Sequence, residues 1–456
     1  RGAELERMNE ALHREDTQFV VIYGRRRIGK SELIKRIVKA RHKAIYFLSD
    51  TSSETVQRVA FSKVAASVID GFDKVIYPDW ETLFRSFNNQ LSERMLVCLD
   101  EFPYLVKSCD VLPSIIQKLL NEKILKFDLI LCGSSQQLMH GYVLNRQSPL
   151  YGLANEIIKM QPIPAQYISM AMECDAVQAV EEYAIWGGVP RYWELRRDYP
   201  DKETAIRKVL LDPQGPLIEE PQRLHRDDMR DTVQASTLLT IIGNGANKLS
   251  EIATRAGKDS STISEPLSKL RNLGYVSREV PFGESPKKGK KGIYHINDSL
   301  LRFHYQFIVP YRSILELGRM DMVMQVVLAQ LPQFIGQCWE LLCREYVSGN
   351  IIDGIAYNVA SRWWGKIFSP EYKDDKMVEL DVVAESIDKK HILVGECKWT
   401  HDEDADRLMD VLEQKAKYLP FIKKGQEVHL VLFLKESPTH CVKGMRVFLP
   451  SDVMKA

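Results

Sequence analysis

The stretch Phe19 to Leu33, FVVIYGRRRIGKSEL, constrains this chain more than any other. Mostly β-branched or aromatic residues run into Gly24, and Gly29, Lys30 and Ser31 follow at the spacing GxxxxGK[ST]. A backbone that turns successive N–H groups onto a phosphate must curl in a way that side chains obstruct, which is why glycines stand at both ends. The hydrophobic run before the loop and the helix-forming SELIKRIVKA after it give the strand and helix that the motif needs. Gly24, Arg25, Arg26, Arg27, Ile28, Gly29, Lys30 and Ser31 are therefore expected to bind a nucleotide. Lys30 would reach the β- and γ-phosphates, and the Ser31 hydroxyl would ligate Mg²⁺.

Around this loop, strand signals recur at 44–48, 95–99 and 127–132 and alternate with helical stretches. That alternation predicts a parallel, doubly wound α/β sheet. MLVCLDEF is a buried strand ending in Asp100 and Glu101, at the sheet edge where such folds place ligands. Asp100 is expected to hold the Mg²⁺ shell, and Glu101 to orient or deprotonate an attacking water. FDLILCGSS ends another strand on Ser134 and Ser135, polar groups placed to sense a γ-phosphate.

The 456 residues allow two to four domains, each with its own core. A net charge of +1 excludes a global attraction to nucleic acid or membrane, so any such argument falls on local patches. Runs such as MLVCL and LILC are far shorter than the roughly 20 residues of a membrane helix. The eight cysteines include no CxxC pair and read as reduced thiols of a cytoplasmic protein. The chain opens on Arg1 rather than Met, so a few upstream residues are expected.

YGRRRIGKS, LDEFPYL, LILCGSS, SPLYG and WGGVPRYW stand in an order and spacing that resembles the archaeal-type P-loop ATPases of the AAA+/STAND group. The resemblance implies an ATPase core followed by a helical lid, ATP with Mg²⁺ as cofactors, and Glu101 as catalytic base. Members of that group often follow PLYG with arginine, whereas Gly152 is followed here by Leu153. Arg146 and Arg191 are then the nearest candidates for a γ-phosphate contact, or a partner supplies the arginine. An arginine in that role is worth about 10³ to 10⁵ in rate.

Further on, TVQASTLLTIIG, LSEIATRAG and a helix near Ser261 to Leu273 precede the strands GYVSREV and GIYHIND. This order reads as a winged helix whose wing, SPKKGKK, carries Lys287, Lys288, Lys290 and Lys291. Those lysines are candidate DNA contacts that meet phosphates without reading sequence. Lys258, Lys269 and Arg271 add charge near the recognition helix. Pro266 favours a helix start nearer Ser264, because an interior proline loses an amide hydrogen bond. Residues 299–330 are apolar and aromatic, and there His304 and Tyr305 read as packing residues.

The last segment carries a second chemistry. KMVELDVVAES and HILVGECKWT form a predicted hairpin, and alternate strand residues share a face. Glu396 and Lys398 thus point one way, opposite Cys397, and Glu379 pairs with Asp381. Asp381 and Glu396 are expected to bind a metal through hard oxygens, with Lys398 stabilising developing charge or orienting water. The D…ExK spacing resembles the PD-(D/E)xK restriction-endonuclease-like fold. That resemblance adds Glu340, on the helix QFIGQCWELLCREYV, as a metal ligand, and likens Gln414 and Tyr418 to the QxxxY element of the RecB-like branch. Leu380 stands where the motif's name has proline.

The expected fold class is a multidomain α/β protein. Its parts are a P-loop NTPase core over 1–160, a helical lid over 161–228 and a winged helix-turn-helix over 229–298. A helical connector over 299–330 and a PD-(D/E)xK nuclease-like domain over 331–456 complete it. The expected function is ATP binding and hydrolysis coupled to Mg²⁺-dependent DNA cleavage, with Mn²⁺ as a second option in the nuclease-like site. The alternative is a nucleotide-regulated DNA-binding switch or scaffold whose terminal domain does not cut. The expected partners are DNA and either a second copy or another protein supplying an arginine in trans, with no membrane.

Overall fold

The computed structural model describes residues 1–229, 231–285, 291–367, 376–440 and 446–455. The chain divides into two compact units, one made of residues 1–163, 189–191 and 223–230, the other of 164–188, 192–222 and 231–456.

The first unit is built on five parallel strands: β1 (Phe19–Tyr23), β2 (Ala44–Leu48), β3 (Met95–Asp100), β4 (Phe127–Gly133) and β5 (Glu156–Lys159). Their order in the sheet is β2-β3-β4-β1-β5. Every residue of β3 and β4 is buried, which is why both read as continuous apolar runs rather than alternating ones. Four strands fall where the sequence predicts them. β5 is the exception, an edge strand, EIIK, in which only Ile158 is buried, too short and too polar to stand out. On one face of the sheet Phe61 meets Phe47, Trp80, Phe84 and Phe87 edge-on at 5.5–6.0 Å between ring centres, the arrangement aromatic quadrupoles favour. The consequence for function lies in the strand order. β4 separates the loop strand β1 from the acidic strand β3, so the loop after β4 opens between them.

In the second unit, helices Thr232–Gly243, Leu249–Arg255 and Ser260–Asn272 precede an antiparallel pair, β6 (Val276–Glu279) and β7 (Ile293–Ile296). The third helix corrects the expected start near Ser264: it begins at Ser260 with Pro266 inside. Ile263, Leu267 and Leu270 are buried along one face, and their packing outweighs the one lost backbone bond. The carbonyl that loses its partner belongs to Thr262, which is exposed. Lys287, Lys288 and Lys290 lie outside the described residues. Lys291 is exposed and pairs with Glu284 at 3.2 Å.

A short hairpin, β8 (Ile351–Ile352) and β9 (Ile355–Ala356), leads into the second large sheet. Its strands are β10 (Ser361–Ile367), β11 (Lys376–Glu385), β12 (His391–Lys398), β13 (Glu427–Leu434) and β14 (Arg446–Phe448), in sequential order. The first two pairings are antiparallel and the last two parallel. Helix Met320–Val347 packs against β11 and β12, burying Phe334, Ile335, Cys338, Trp339, Leu342 and Cys343 at helical spacing. Its Trp339 indole donates to the Phe433 carbonyl at 3.2 Å. His304 and Tyr305 are buried, as packing residues should be.

Candidate phosphate-loop site and carboxylate cluster

The loop after β1 adopts the conformation its glycines permit. Gly24 has φ +152°, and a side chain there would meet the Met160 carbonyl oxygen at 2.6 Å. Gly29 has φ +91°, a left-handed conformation that costs an L-residue roughly 1 kcal/mol or more. Lys30 is buried and donates to the Arg25 carbonyl at 2.8 Å, across the mouth of its own loop. Ser31 Oγ donates to Asp100 Oδ2 at 2.6 Å, and Tyr46 donates to the same oxygen at 2.6 Å. Burial and the Asp100 carboxylate push the Tyr46 hydroxyl well above its ordinary pKa, so it remains a donor.

Glu101 sits at φ 55°, a left-handed residue capping helix Phe102–Ser108, so the chain bends sharply between the two acids. Its Oε2 accepts from Ser134 N at 3.2 Å and Ser134 Oγ at 2.9 Å. The structure thus brings Lys30, Ser31, Asp100, Glu101 and Ser134 to one end of the sheet. Hard oxygens of Ser31 and Asp100 side by side fit Mg²⁺, and the glycine cradle fits phosphate. Arg146 and Arg191 are both solvent-exposed.

Sequence reasoning missed the segment 223–230. Asp227 pairs with Arg26 at 2.8 Å, and its carbonyl accepts from Ser135 Oγ at 2.6 Å. Asp228 accepts from Gln136 N at 2.9 Å. His225 is buried, and desolvation with the nearby Arg25 charge pushes its pKa down to about 4. The acidic pair in RDDMR was the visible signal, without anything local to name its partner.

In the second unit, Glu340, Asp381, Glu396 and Lys398 come together. Asp381 Oδ2 accepts from Cys397 N at 2.8 Å, which ties β11 to β12 at the site. Burial and Glu396 raise the Asp381 pKa. Burial and Asp381 push Glu340 up to about 7. Burial opposes ionisation of Glu396 too, yet bonds from Lys398 and Lys415 hold it below the usual carboxylate range. Lys398 Nζ lies 2.9 Å from Glu396 Oε1 and Lys415 Nζ 2.9 Å from Oε2. Three carboxylates crowded into a partly desolvated site, two of them with raised pKa, form an oxygen donor set that fits a divalent cation.

Arg344 donates to the Asp381 carbonyl at 3.0 Å and lies 3.7 Å from Glu340 and 3.5 Å from Glu279 on β6. Phe282, just past β6, donates its N–H to the Arg362 carbonyl at 2.9 Å and stacks edge-on against Phe421. The β6–β7 pair is thus fastened beside the carboxylates. The Gln414 and Tyr418 expectation requires correction. Helix Ala405–Ala416 ends before Tyr418, which turns into the apolar cluster under the sheet, and Gln414 is exposed. Lys415 is the residue from this helix that reaches Glu396.

A parallel α/β sheet with a phosphate loop after one strand and an acidic pair after another defines the first unit as a P-loop NTPase fold. Residues 1–193 match a family described as an ATPase domain predominantly from Archaea. Residues 304–409 match one described as archaeal and bacterial proteins of unknown function. An uncharacterized protein of Methanocaldococcus jannaschii is 29% identical over 429 residues, spanning 91% of each chain. Among solved structures, the Aeropyrum pernix ORC2 protein in ADPNP-ADP complexes is similar at 12% identity and a TM-score of 0.41, over 72% of this chain and 94% of that one. The Aeropyrum pernix ORC1 protein in complex with DNA is similar at 17% identity and a TM-score of 0.36, over 69% and 94%. No helix among the described residues is long and apolar enough to cross a membrane.

Proposed function

We propose that this chain is an ATPase coupled to Mg²⁺-dependent cleavage of DNA. The observation that carries the reading is the convergence of Glu340, Asp381, Glu396 and Lys398, which lie up to 58 positions apart in sequence, in a chain that also holds the Lys30, Ser31, Asp100 and Glu101 constellation.

At the loop, the backbone from Gly24 to Gly29 cradles the phosphates of ATP and Lys30 leaves the Arg25 carbonyl to reach them. Ser31 and Asp100 would hold Mg²⁺, which when bound would neutralise phosphate charge. Glu101 orients the attacking water, and Ser134, already bonded to Glu101, is placed to report the γ-phosphate to it. With Leu153 after PLYG, an arginine from a partner or a second copy completes the site.

In the second unit, Glu340, Asp381 and Glu396 would hold a divalent ion, Mg²⁺ or Mn²⁺, which when bound would supply Lewis-acid charge for phosphodiester hydrolysis. Lys398 stabilises the developing phosphorane charge or orients the nucleophile. Helices 232–243, 249–255 and 260–272 with the β6–β7 pair support a winged-helix reading, and Lys287, Lys288, Lys290 and Lys291 would meet DNA phosphates. The domain plan of core, lid, winged helix, connector and nuclease-like segment stands on the same reading.

The second reading, a nucleotide-regulated DNA-binding switch that does not cut, is favoured by one observation. Glu396 is already balanced by two ammonium groups, Lys398 and Lys415, each at 2.9 Å. Plasmid and linear DNA incubated with Mg²⁺ or Mn²⁺, with and without ATP, separate the two readings. Cleavage that is lost in Lys398→Ala while ATP turnover persists supports the nuclease. ATP-dependent DNA retention without nicking under any condition supports the switch.

A further inference from the structure

A second cluster of metal-ligating side chains lies on the same sheet, away from the carboxylates. His391 opens β12 and Glu427 opens β13, and the two strands run parallel with His391 opposite Glu427 and Leu393 opposite His429. Glu427 and His429 are two apart and share a face. His391 Nδ1 lies 3.0 Å from His429 Nε2 and 3.4 Å from a Glu427 oxygen, and His429 Nε2 lies 3.9 Å from the other. Ligands held 2.0–2.1 Å from a tetrahedral Zn²⁺ stand about 3.3 Å apart. One ligand atom from each of the three residues lies within 4.8 Å of the others, so small side-chain rotations bring all three to that edge length around a single ion.

The strands that carry these ligands are fixed independently of any ion. Glu427 N donates to the Lys390 carbonyl at 2.8 Å, and His391 N donates to Ser386 Oγ at 3.0 Å. Both imidazoles are about a quarter exposed and Glu427 about two thirds, so an ion can enter from solvent. His429 also lines a cavity of about 470 Å³ with Tyr357, Asp353 and Arg446. The trio is distinct from the proposed nuclease site, because Glu396 lies five residues along β12 from His391, roughly 17 Å at strand spacing.

We propose that His391, Glu427 and His429 form a binding site for a transition-metal dication of the Zn²⁺ class. Two imidazole nitrogens and one carboxylate select such ions over Mg²⁺, which prefers all-oxygen shells. Three protein ligands leave a coordination position for water, as open zinc sites do and closed structural ones do not.

The test is a titration of the full-length protein with Co²⁺ alone, in excess Mg²⁺ to occupy the oxygen-donor sites, followed by visible absorption. One Mg²⁺-resistant Co²⁺ per chain is expected, with d–d bands that Zn²⁺ abolishes by displacement. His391→Ala and His429→Ala should each weaken binding by at least about tenfold, the scale on which even outer partners of metal ligands act. Asp381→Asn should leave the bands unchanged. Glu427→Gln, at the most exposed ligand, keeps the fold and should still weaken the Co²⁺ complex. Absence of Mg²⁺-resistant Co²⁺ binding in the wild type, or bands that survive in the His391→Ala/His429→Ala double variant, would overturn the assignment.

Discussion

Lys415 holds Oε2 of Glu396 at 2.9 Å while the opposite oxygen is held by Lys398 at the same distance. The two lysines are equivalent in distance but not in setting. Lys398 is two residues from Glu396 on the same strand, whereas Lys415 comes from helix Ala405–Ala416 and also donates to the Glu379 carbonyl at 3.3 Å. Lys415 therefore positions Glu396, and on the proposed nuclease reading it would compete with a metal ion for that carboxylate. Lys415→Ala should lower the Mg²⁺ concentration for half-maximal cleavage while slowing maximal cleavage about tenfold, or 1.4 kcal/mol. Lys398→Ala should cost about 10²–10³ in rate. Single-turnover cleavage across a Mg²⁺ series measures both, and an unchanged Mg²⁺ dependence in Lys415→Ala argues against competition.

Glu340 makes the carboxylate cluster pH-sensitive. Its pKa in the folded chain is about 7 against 4.5 for an unperturbed glutamate, so the folded state holds a proton that the unfolded state releases. That contribution is complete below about 4.5 and is lost as pH rises through about 7. Glu340→Gln, neutral at every pH, should therefore stabilise the metal-free protein at pH 8 by on the order of 1–3 kcal/mol, and much less at pH 5. Thermal melts in chelator at the two pH values decide it. Equal shifts at both would remove the electrostatic explanation.

On the proposed ATPase reading, Lys30 serves nucleotide binding and Glu101 serves turnover. Lys30→Ala removes the only lysine of the loop motif and should abolish binding of a fluorescent ATP analogue. Glu101→Gln keeps the Ser134 contacts sterically and should leave binding intact while lowering phosphate release by about 10²–10⁴. Retained turnover in Glu101→Gln would move the base elsewhere.

His225 predicts an acid limit for the first unit. Its folded pKa of about 4 lies below the ordinary 6.5, so the unfolded state binds the proton first. Stability is complete above about 6.5 and declines as pH falls toward 4, by on the order of 1–3 kcal/mol. His225→Gln should flatten this slope in nucleotide-free melts, whatever its effect on the absolute midpoint. A slope equal to wild type would assign the acid sensitivity to other groups.

Local chemistry was legible in the sequence wherever neighbours in the chain are neighbours in the site. The loop from Gly24 to Ser31 and the pair Glu396 and Lys398 are such cases, because strand and loop geometry alone orient them. Glu101 and Ser134 became readable once both were placed at ends of parallel strands. Lys415 was not, since its choice over Gln414 depends on how the helix rotates against the sheet and on its ending before Tyr418. Pro266 misled because local propensity was weighed without the packing of Ile263 and Leu267. His391 and His429 stand 38 positions apart and meet only through a parallel crossover, which no short spacing announces.

The alternation of the chain between its two units has a consequence for inheritance. Residues 189–191 and 223–230 belong to the ATPase unit although the stretches around them belong to the other. A recombination event breaking the gene after position 193, where the ATPase-family match ends, would leave behind Asp227 and Asp228, the partners of Arg26, Ser135 and Gln136. Neither unit can be borrowed whole by a single exchange. A fragment cut at that point is thus expected to lack the contacts that Asp227 and Asp228 make with Arg26, Ser135 and Gln136, and to be less stable than the first unit in the whole chain.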